Sequence, residues 1–201
     1  NNPNIQKKSG YSQVDFLQKI VFTLPKEKQL LINLQFSNSS NIPRFDKLNE
    51  MMKNKLRFAE WNYGPQKRLL ISPQLKIFPK KKYLYKGTII AAYQWVKESR
   101  IQRRFESLDR INQNENVNIF SLNADFEMPK TRKISVVYGF ELVGNKIKSD
   151  AFRERLSVIG NTITQTQFVG RFPSRYPNNG SIYFVSAAYS NLRVDFNTKS
   201  S

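Results

Sequence analysis

A long series of short apolar segments separated by turn-forming residues constrains the fold of this chain more than any other feature. The segments are rich in β-branched and aromatic residues, and the separators contain Pro, Gly and Asn, a pattern typical of antiparallel β-structure. We predict strands over residues 68–72, 75–78, 83–96, 102–111, 116–127, 133–143, 151–159, 162–172, 181–188 and 192–196. Roughly eight regularly spaced strands predict an antiparallel barrel or sandwich.

Alternation within these segments supports the strand prediction. Val117, Ile119 and Ser121 are predicted to face one side of the sheet, whereas Asn118 and Phe120 face the other, because successive side chains of a strand point to opposite faces. The turns between strands are predicted at residues 112–114, 128–130, 144–145, 160–161 and 177–180.

The first third of the chain has a different pattern. Residues 13–23 are predicted to be a helix capped by Ser12, because the apolar residues Val14, Leu17, Ile20 and Val21 recur at helical spacing. Residues 25–36 fit a helix or a strand, and residues 43–61 are predicted to be a second helix. We therefore predict a basic, largely helical extension over residues 1–66 and a β-domain over residues 67–201.

Composition excludes several kinds of chemistry. The chain has no Cys and no His, which excludes a disulfide framework, a zinc site of the usual ligands, a Cys nucleophile and a Ser–His pair. Asp125 and Glu127 share one strand face, and such a pair can do acid–base work, although a salt-bridged face is the more common role. We predict no catalytic residue, no metal site and no enzymatic activity.

Positive charge is the dominant surface property. Lys and Arg number 33 against 15 Asp and Glu, a net charge of +18, and residues 1–86 alone hold 17 basic and 5 acidic residues. Such a field attracts RNA, an anionic membrane surface or the acidic face of a protein complex, and a merely solvated face is the alternative. The residues predicted to dock a partner are Lys80, Lys81, Lys82, Lys86, Arg100, Arg103 and Arg104.

Hydropathy predicts that the chain has no transmembrane span of its own. No segment approaches the roughly 18 continuous apolar residues that a membrane helix needs. The first ten residues are polar and carry no signal-peptide pattern. For an organellar protein, we expect that the targeting presequence has already been removed from this sequence.

Residues 87–201 resemble the plastid-lipid-associated proteins, the fibrillins of plastids. Gly87 and Tyr93 match the opening strand of that family, with Ile89 where the family has Trp. Further similar motifs follow in order: Leu108-Asp109, Asn116-Val117, Ala124-Asp125-Phe126-Glu127, Arg132-Lys133-Ile134-Ser135-Val136 and Tyr189-Ser190-Asn191-Leu192-Arg193-Val194. The resemblance implies a lipocalin-like (calycin) antiparallel β-barrel after the basic helical extension.

A second, weaker resemblance is to the S-type phycobiliprotein lyases. These have a related barrel and a strand similar to Ser190-Asn191-Leu192-Arg193. Their barrel begins almost at the N-terminus, whereas here 86 residues precede the matching region.

The fibrillin resemblance implies an apolar plastid ligand, such as a carotenoid, chlorophyll, quinone or lipid. Arg193 matches the polar residue of the family's terminal strand and is expected to pair with Asp109, with Glu127 or with a ligand headgroup. Filling of a closed core is the alternative role of the aromatic residues. The predicted ligand-binding residues are Tyr93, Trp95, Phe120, Phe126, Tyr138, Phe140, Phe168, Tyr183 and Arg193, with Phe105 as a further candidate.

Three functions are consistent with these patterns. The first is a non-catalytic plastid accessory protein, peripheral on the stromal face of the thylakoid, that docks by its basic surface on the membrane or on a photosystem or antenna complex. The second is an organellar ribosomal or other RNA-associated protein. The third is a bilin-attaching lyase. The sequence does not distinguish an open barrel from a filled one.

Overall fold

One antiparallel sheet contains most of the chain in the computed structural model, which describes residues 9–131, 133–160, 162–176 and 179–196. The one α-helix among these described residues is α1 (Phe45–Leu48). The strands are β1 (Gln13–Leu24), β2 (Lys28–Ser39), β3 (Ile42–Pro43), β4 (Met51–Met52), β5 (Lys55–Leu56), β6 (Phe58–Tyr63), β7 (Lys67–Ile77), β8 (Lys86–Arg104), β9 (Asp109–Glu127), β10 (Ile134–Ile159), β11 (Thr162–Arg171) and β12 (Gly180–Val194).

The main sheet has the order β1-β2-β7-β8-β9-β10-β11 and curls into a half-barrel. β12 pairs with the first part of β10, and β11 pairs with the last part of the same strand. At the other side, β7 pairs with the first part of β8, and β6 pairs with its end. The mainly antiparallel β-fold predicted from the sequence is confirmed.

The central strands are longer than predicted because two of the predicted turns do not exist. Residues 112–114 lie inside β9, and residues 144–145 lie inside β10. Both segments are fully paired with neighbouring strands. Asn and Gly favour turns locally, but the backbone hydrogen bonds of neighbours on both sides outweigh that preference.

The predicted helix over residues 13–23 is wrong, and so is the helical character of the N-terminal extension. These residues form β1, which pairs without interruption with β2 through the loop at residues 25–27. The helical spacing of Val14 and Leu17 is real, but Phe16 and Phe22 lie outside that stripe. Apolar residues on both sides of the segment suit a strand whose two faces both carry apolar side chains.

The predicted helix over residues 43–61 is also wrong except for its first turn. α1 ends where the Asn49 side-chain amide donates to the Phe45 carbonyl oxygen at 2.7 Å. Lys53 and Asn54 then join β4 to β5 as a two-residue hairpin turn. Both residues adopt positive φ angles, 52° and 60°, which is the conformation that such a turn favours. The apolar residues that recur at helical spacing therefore belong to three different elements, namely α1, the β4–β5 hairpin and β6.

Pro73 lies inside β7, where two strands had been predicted on either side of it. Its position opposite Ile32 continues the pairing with β2. The pairing with β8 stops at Ile71 and resumes at Gln74, because proline has no N–H to donate. One strand thus spans the proline.

The fully buried core of the described residues is small. The buried hydrophobic residues are Leu48, Trp61, Ala124, Ala151 and Leu156, whereas thirty large hydrophobic side chains of the described residues are exposed. The accessible surface is 14460 Å² for a mass of 23.5 kDa, against about 9,800 Å² for a compact monomer of that mass. The half-barrel therefore leaves much of its apolar surface uncovered.

The boundary predicted between residues 66 and 67 falls between β6 and β7. The β1–β2 hairpin, which precedes this boundary, pairs with β7, which follows it. Among the described residues, no helix has the length and apolar character needed to cross a membrane.

Candidate binding faces of the half-barrel

Cross-strand register collects aromatic and aliphatic side chains on one face of the sheet. Ile71, Tyr93, Phe120 and Phe184 occupy neighbouring strands in one continuous row, with Gly144 between the last two. Directly paired residues project to the same face. We call this side of the sheet the aromatic face and the other side the opposite face.

A groove of about 520 Å³ runs across the aromatic face at this row. The Tyr93 and Phe120 rings lie 4.8 Å apart between centroids, and the Tyr93 hydroxyl donates to the Asn118 Oδ1 at 2.8 Å. Among the described residues, no charged side chain lines the groove, whose walls are Ile71, Pro73, Ala91, Ala92, Tyr93, Phe120, Ser121, Leu122, Leu142, Gly144 and Phe184.

The structure brings most of the predicted ligand-binding residues to this face. Phe126 and Tyr138 lie 5.4 Å apart, and Phe168 lies 6.2 Å from Phe152. Register places Tyr93, Trp95, Phe120, Phe126, Tyr138, Phe140 and Phe168 together on the aromatic face.

The other predicted ligand-binding residues lie elsewhere. Tyr183 and Arg193 project from β12 to the opposite face, because they pair with Asn145 and Ser135. Phe105 lies in the turn after β8.

A polar row that was not predicted from the sequence adjoins the apolar groove on the same face. Lys67, Lys97, Asn116 and Lys148 are paired in succession across β7, β8, β9 and β10. We call these four residues the lysine–asparagine row. The alternating Asn residues at 112, 114, 116 and 118 are the sequence signal that pointed to it, but their neighbours became visible only through the register.

A cavity of about 500 Å³ lies at this row, between it and the end of β11. Its cations are Lys97, Lys148 and Arg171, none of which forms an ion pair within the described residues. Asp150 is its one carboxylate. The full lining is Lys97, Asn114, Asn116, Lys148, Ser149, Asp150, Arg171 and Asn179. The cavity therefore carries an excess of unneutralised positive charge.

The residues predicted to form a basic docking surface do not lie together. Lys86 begins β8 and Arg104 ends it, and this strand of 19 residues spans about 60 Å. Lys80 pairs with Glu27 at 2.7 Å, and Lys86 pairs with Glu127 at 2.9 Å. Hydrogen bonding to the Glu27 carboxylate raises the pKa of Lys80 above its ordinary value. These residues therefore form two separate basic groups, one at each end of β8.

The remaining predicted docking residues have mostly structural contacts. The Arg100 guanidinium lies 5.3 Å from the Trp61 ring centroid and 5.4 Å from that of Tyr63. Arg103 is mostly buried and pairs with Glu60 at 2.7 Å. Arg104 is exposed, as are Lys81 and Lys82. Only these exposed cations resemble the docking residues that the sequence predicted.

Ion pairs account for the acidic residues singled out from the sequence. Arg193 pairs with Asp195 at 3.1 Å, so its expected pairing with Asp109 or Glu127 is wrong. Asp109 pairs instead with Arg155 at 2.8 Å. Hydrogen bonding to that guanidinium lowers the pKa of Asp109. Asp109 lies at the other end of the sheet from Arg193, and Glu127, which lies at the same end, pairs with Lys86 instead.

Asp125 makes the most distinctive contact of the opposite face. Gly139 lies between Asp125 and Tyr189 in one row, and the Tyr189 hydroxyl donates across this glycine to the Asp125 carboxylate. This hydrogen bond raises the pKa of Tyr189. A side chain at position 139 would occupy the space that the tyrosine crosses.

Among the described residues, the acidic side chains near these faces are not clustered as metal ligands. In the part of the chain that the structure describes, no three Asp or Glu side chains lie close enough to share a metal ion. The most buried ion pairs join Glu60 to Arg103 and Arg110, and Arg110 to Glu154 at 2.6 Å. These charges satisfy one another, and their role is structural.

A long, regular strand forms part of each lateral edge of the half-barrel, β1 on one side and β12 on the other. β1 and β12 each pair on one side only within the described ranges. Neither ladder contains a bulge or a proline. β12 has no charged residue before Arg193, and β1 carries only Asp15 and Lys19. Proteins normally protect such edges with charges, prolines, bulges or a covering element. These two edges are therefore candidates for pairing with another chain.

Compared with protein-family models, with curated proteins and with solved structures, the chain has no significant match.

Proposed function

We propose that this chain is a non-catalytic accessory subunit whose open half-barrel is completed by an acidic protein partner. The observation that carries the proposal is the accessible surface, 14460 Å², which exceeds that of a compact monomer by about 4,700 Å². Obligate interfaces bury about 2,000–5,000 Å² summed over both partners, about half of it on each, so the excess on this chain alone is larger than one side of such an interface. An excess of this size supports a permanent association.

The sheet edges favour a protein over a lipid surface as the covering partner. Within the described residues, the outward-facing backbone N–H and C=O groups of β1 and β12, strands of 12 and 15 residues, have no strand partner. Hydrocarbon offers no hydrogen bonds, so open sheet edges are not stable there. A partner strand satisfies these groups and covers neighbouring apolar side chains at the same time.

Charge favours an acidic partner over a second copy of this chain. Each copy carries a net charge of +18, so two copies repel one another, whereas an acidic surface is attracted. The unpaired cations of the lysine–asparagine row and of the β7–β8 loop add to this attraction.

We place the protein in the plastid, peripheral on the stromal face of the thylakoid, where it docks on a photosystem or antenna complex. The support is the fibrillin resemblance of residues 87–201, and we propose that the half-barrel is a calycin-type module opened at β1 and β12. The lyase hypothesis has no structural observation behind it. The RNA hypothesis retains the net charge as support and is an outcome of the test below.

The test places charges on β1 and measures association with the partner. Leu17→Lys/Val21→Lys changes two exposed side chains of this edge, and edge lysines oppose strand addition. We expect the tagged wild-type chain to recover an acidic protein complex from its native source in mild detergent. The β1 variant should recover at least about tenfold less of the complex, since disrupting two interface positions weakens binding by more than about 1.4 kcal/mol.

Met51→Lys/Met52→Lys is the matched control. It adds the same two charges at exposed positions of the β4–β5 hairpin, outside the main sheet, and should recover the complex as well as wild type. Equal recovery by both variants would contradict the proposal. Recovery of RNA that falls steeply with salt, without an acidic protein, would favour the RNA hypothesis.

A further inference from the structure

We propose that the aromatic face binds an anionic amphiphile, with its acidic head at the lysine–asparagine row and its hydrocarbon chain in the apolar groove. The acidic head is a phosphate, sulfonate or carboxylate group. This inference goes beyond the proposed function, which concerns the sheet edges β1 and β12. It rests on the side chains that the register aligns along β8, β9 and β10.

The head end combines cations with amide groups. Lys97, Lys148 and Arg171 line the cavity of about 500 Å³ and make no ion pair within the described residues. Lys67 lies directly opposite Lys97, and like charges in that position destabilise a sheet. A bound anion relieves this repulsion and accepts charge-assisted hydrogen bonds. Asp150, at the cavity margin, leaves the net charge positive.

The tail end is apolar throughout. The groove of about 520 Å³ presents Tyr93, Phe120, Leu142 and Phe184. Phe120 and Phe184 are among the exposed large hydrophobic residues of the sheet. Covering them with hydrocarbon is favourable in proportion to the apolar area removed from water.

The two ends are separated by a distance that a single amphiphile spans. Lys97 and Tyr93 on β8, and Asn116 and Phe120 on β9, are each four residues apart, which is about 13 Å. Trp95 lies between them on the same face, and its indole N–H donates to the Asn116 Oδ1 at 2.8 Å. A tryptophan held in this way suits the boundary between a polar head and an apolar chain.

The separation of charge from apolar surface favours an amphiphile over a nucleic acid strand. A strand carries a phosphate at every nucleotide, so its binding groove needs cations distributed between the stacking aromatic residues. Here no charged residue lines the groove, and the cations lie beyond one end of it. One acidic group attached to one apolar chain matches this arrangement.

The test uses dodecyl phosphate below its micelle concentration, added to the full chain, with tryptophan fluorescence as the readout. Dodecyl maltoside has the same tail with a neutral head, and inorganic phosphate has the head without a tail. We expect saturable binding of dodecyl phosphate at least about tenfold tighter than that of dodecyl maltoside, since a charge-assisted contact exceeds 1.4 kcal/mol. Trp95→Phe should remove the fluorescence change, because Trp61 is buried away from the groove.

Lys97→Gln/Lys148→Gln should weaken the binding of dodecyl phosphate by at least about tenfold and leave dodecyl maltoside unchanged. Lys19→Gln/Lys76→Gln, which removes two cations from the opposite face, is the matched control and should bind like wild type. Far-UV circular dichroism establishes that each variant folds.

Three results would overturn the inference: equal binding of the two detergents, equal binding of phosphate alone, or binding only to anionic phospholipid vesicles and not to monomeric dodecyl phosphate. The last result assigns the row to a membrane surface. Because the assay contains no protein partner, its failure leaves the edge proposal untouched, and failure of the β1 variant leaves this inference untouched.

Discussion

Replacing Leu156 with alanine should destabilise the isolated chain by about 2–5 kcal/mol, the usual cost of truncating a buried leucine. Leu156 is only 1% exposed and is one of the five buried hydrophobic residues of the half-barrel. Its backbone N–H also donates to the Leu108 carbonyl oxygen at 2.9 Å. Because domains of ordinary size are stable by only about 5–15 kcal/mol, this one change removes a large fraction of the total.

Urea unfolding followed by circular dichroism measures this loss. Ile182→Ala is the matched control, because Ile182 is 76% exposed on the aromatic face and should change stability by no more than about 0.5 kcal/mol. Similar losses in both variants would contradict the location of the core, since they would show that the aromatic face is packed in the isolated chain.

Gly139→Ala should be the most disruptive change on the opposite face, with a loss of about 1–3 kcal/mol, as for an overpacked position. An added Cβ would contact the Ala124 carbonyl oxygen and lie 2.7 Å from the Tyr189 ring. Since Ala124 belongs to the paired strand β9, the backbone oxygen has little freedom to move. The tyrosine must then leave Asp125, or the two strands must separate.

A second readout of Gly139→Ala is the titration of Tyr189, followed by NMR of labelled tyrosine. The hydrogen bond to Asp125 raises the pKa of this phenol. A raised pKa contributes stability that is present below the ordinary tyrosine value near 10 and is lost as the pH rises through the raised value. Gly139→Ala should return the pKa toward the ordinary value.

Gly170→Ala is the control for this prediction. It lies in β11 of the same sheet, where an added Cβ meets nothing within 4 Å. It should leave both the stability and the Tyr189 titration nearly unchanged. If Gly139→Ala keeps both the stability and the Tyr189 titration of wild type, the packing described at this position is contradicted.

Local sequence patterns predicted the strands best where alternation was clean. The sides assigned to Val117, Asn118, Ile119, Phe120 and Ser121 agree with the register of β9. The same local rules divided β9 and β10 at their Asn and Gly residues. A residue's preference for a turn is small compared with hydrogen bonding to strands on both sides, and that pairing is non-local.

The N-terminal region was mispredicted for a related reason. A stripe at helical spacing and a strand with two apolar faces look alike in a short segment. β1 is decided by its pairing with β2, and β2 in turn by its pairing with β7, which is distant in the sequence. Propensity alone does not contain that information.

The candidate site was likewise predicted where local patterns sufficed and missed where it depended on pairing between distant strands. Seven of the nine predicted ligand-binding residues reached one face because aromatic residues on alternating positions share a side. The lysine–asparagine row escaped prediction because Lys67, Lys97 and Lys148 are separated by 30 and 51 residues in the sequence and meet only through cross-strand register. The predicted docking residues at 80–86 and at 100–104 lie apart by the length of β8.

Amide hydrogen exchange at the two sheet edges tests most directly whether a protein partner completes the half-barrel. The measurement compares β1 and β12 in the isolated chain with the same strands in the complex recovered from the native source. We expect the outward-facing amides of both strands to exchange rapidly in the isolated chain and to become protected in the complex. Equal exchange in the two states, or a chain that purifies alone from its native source, would contradict the proposed function.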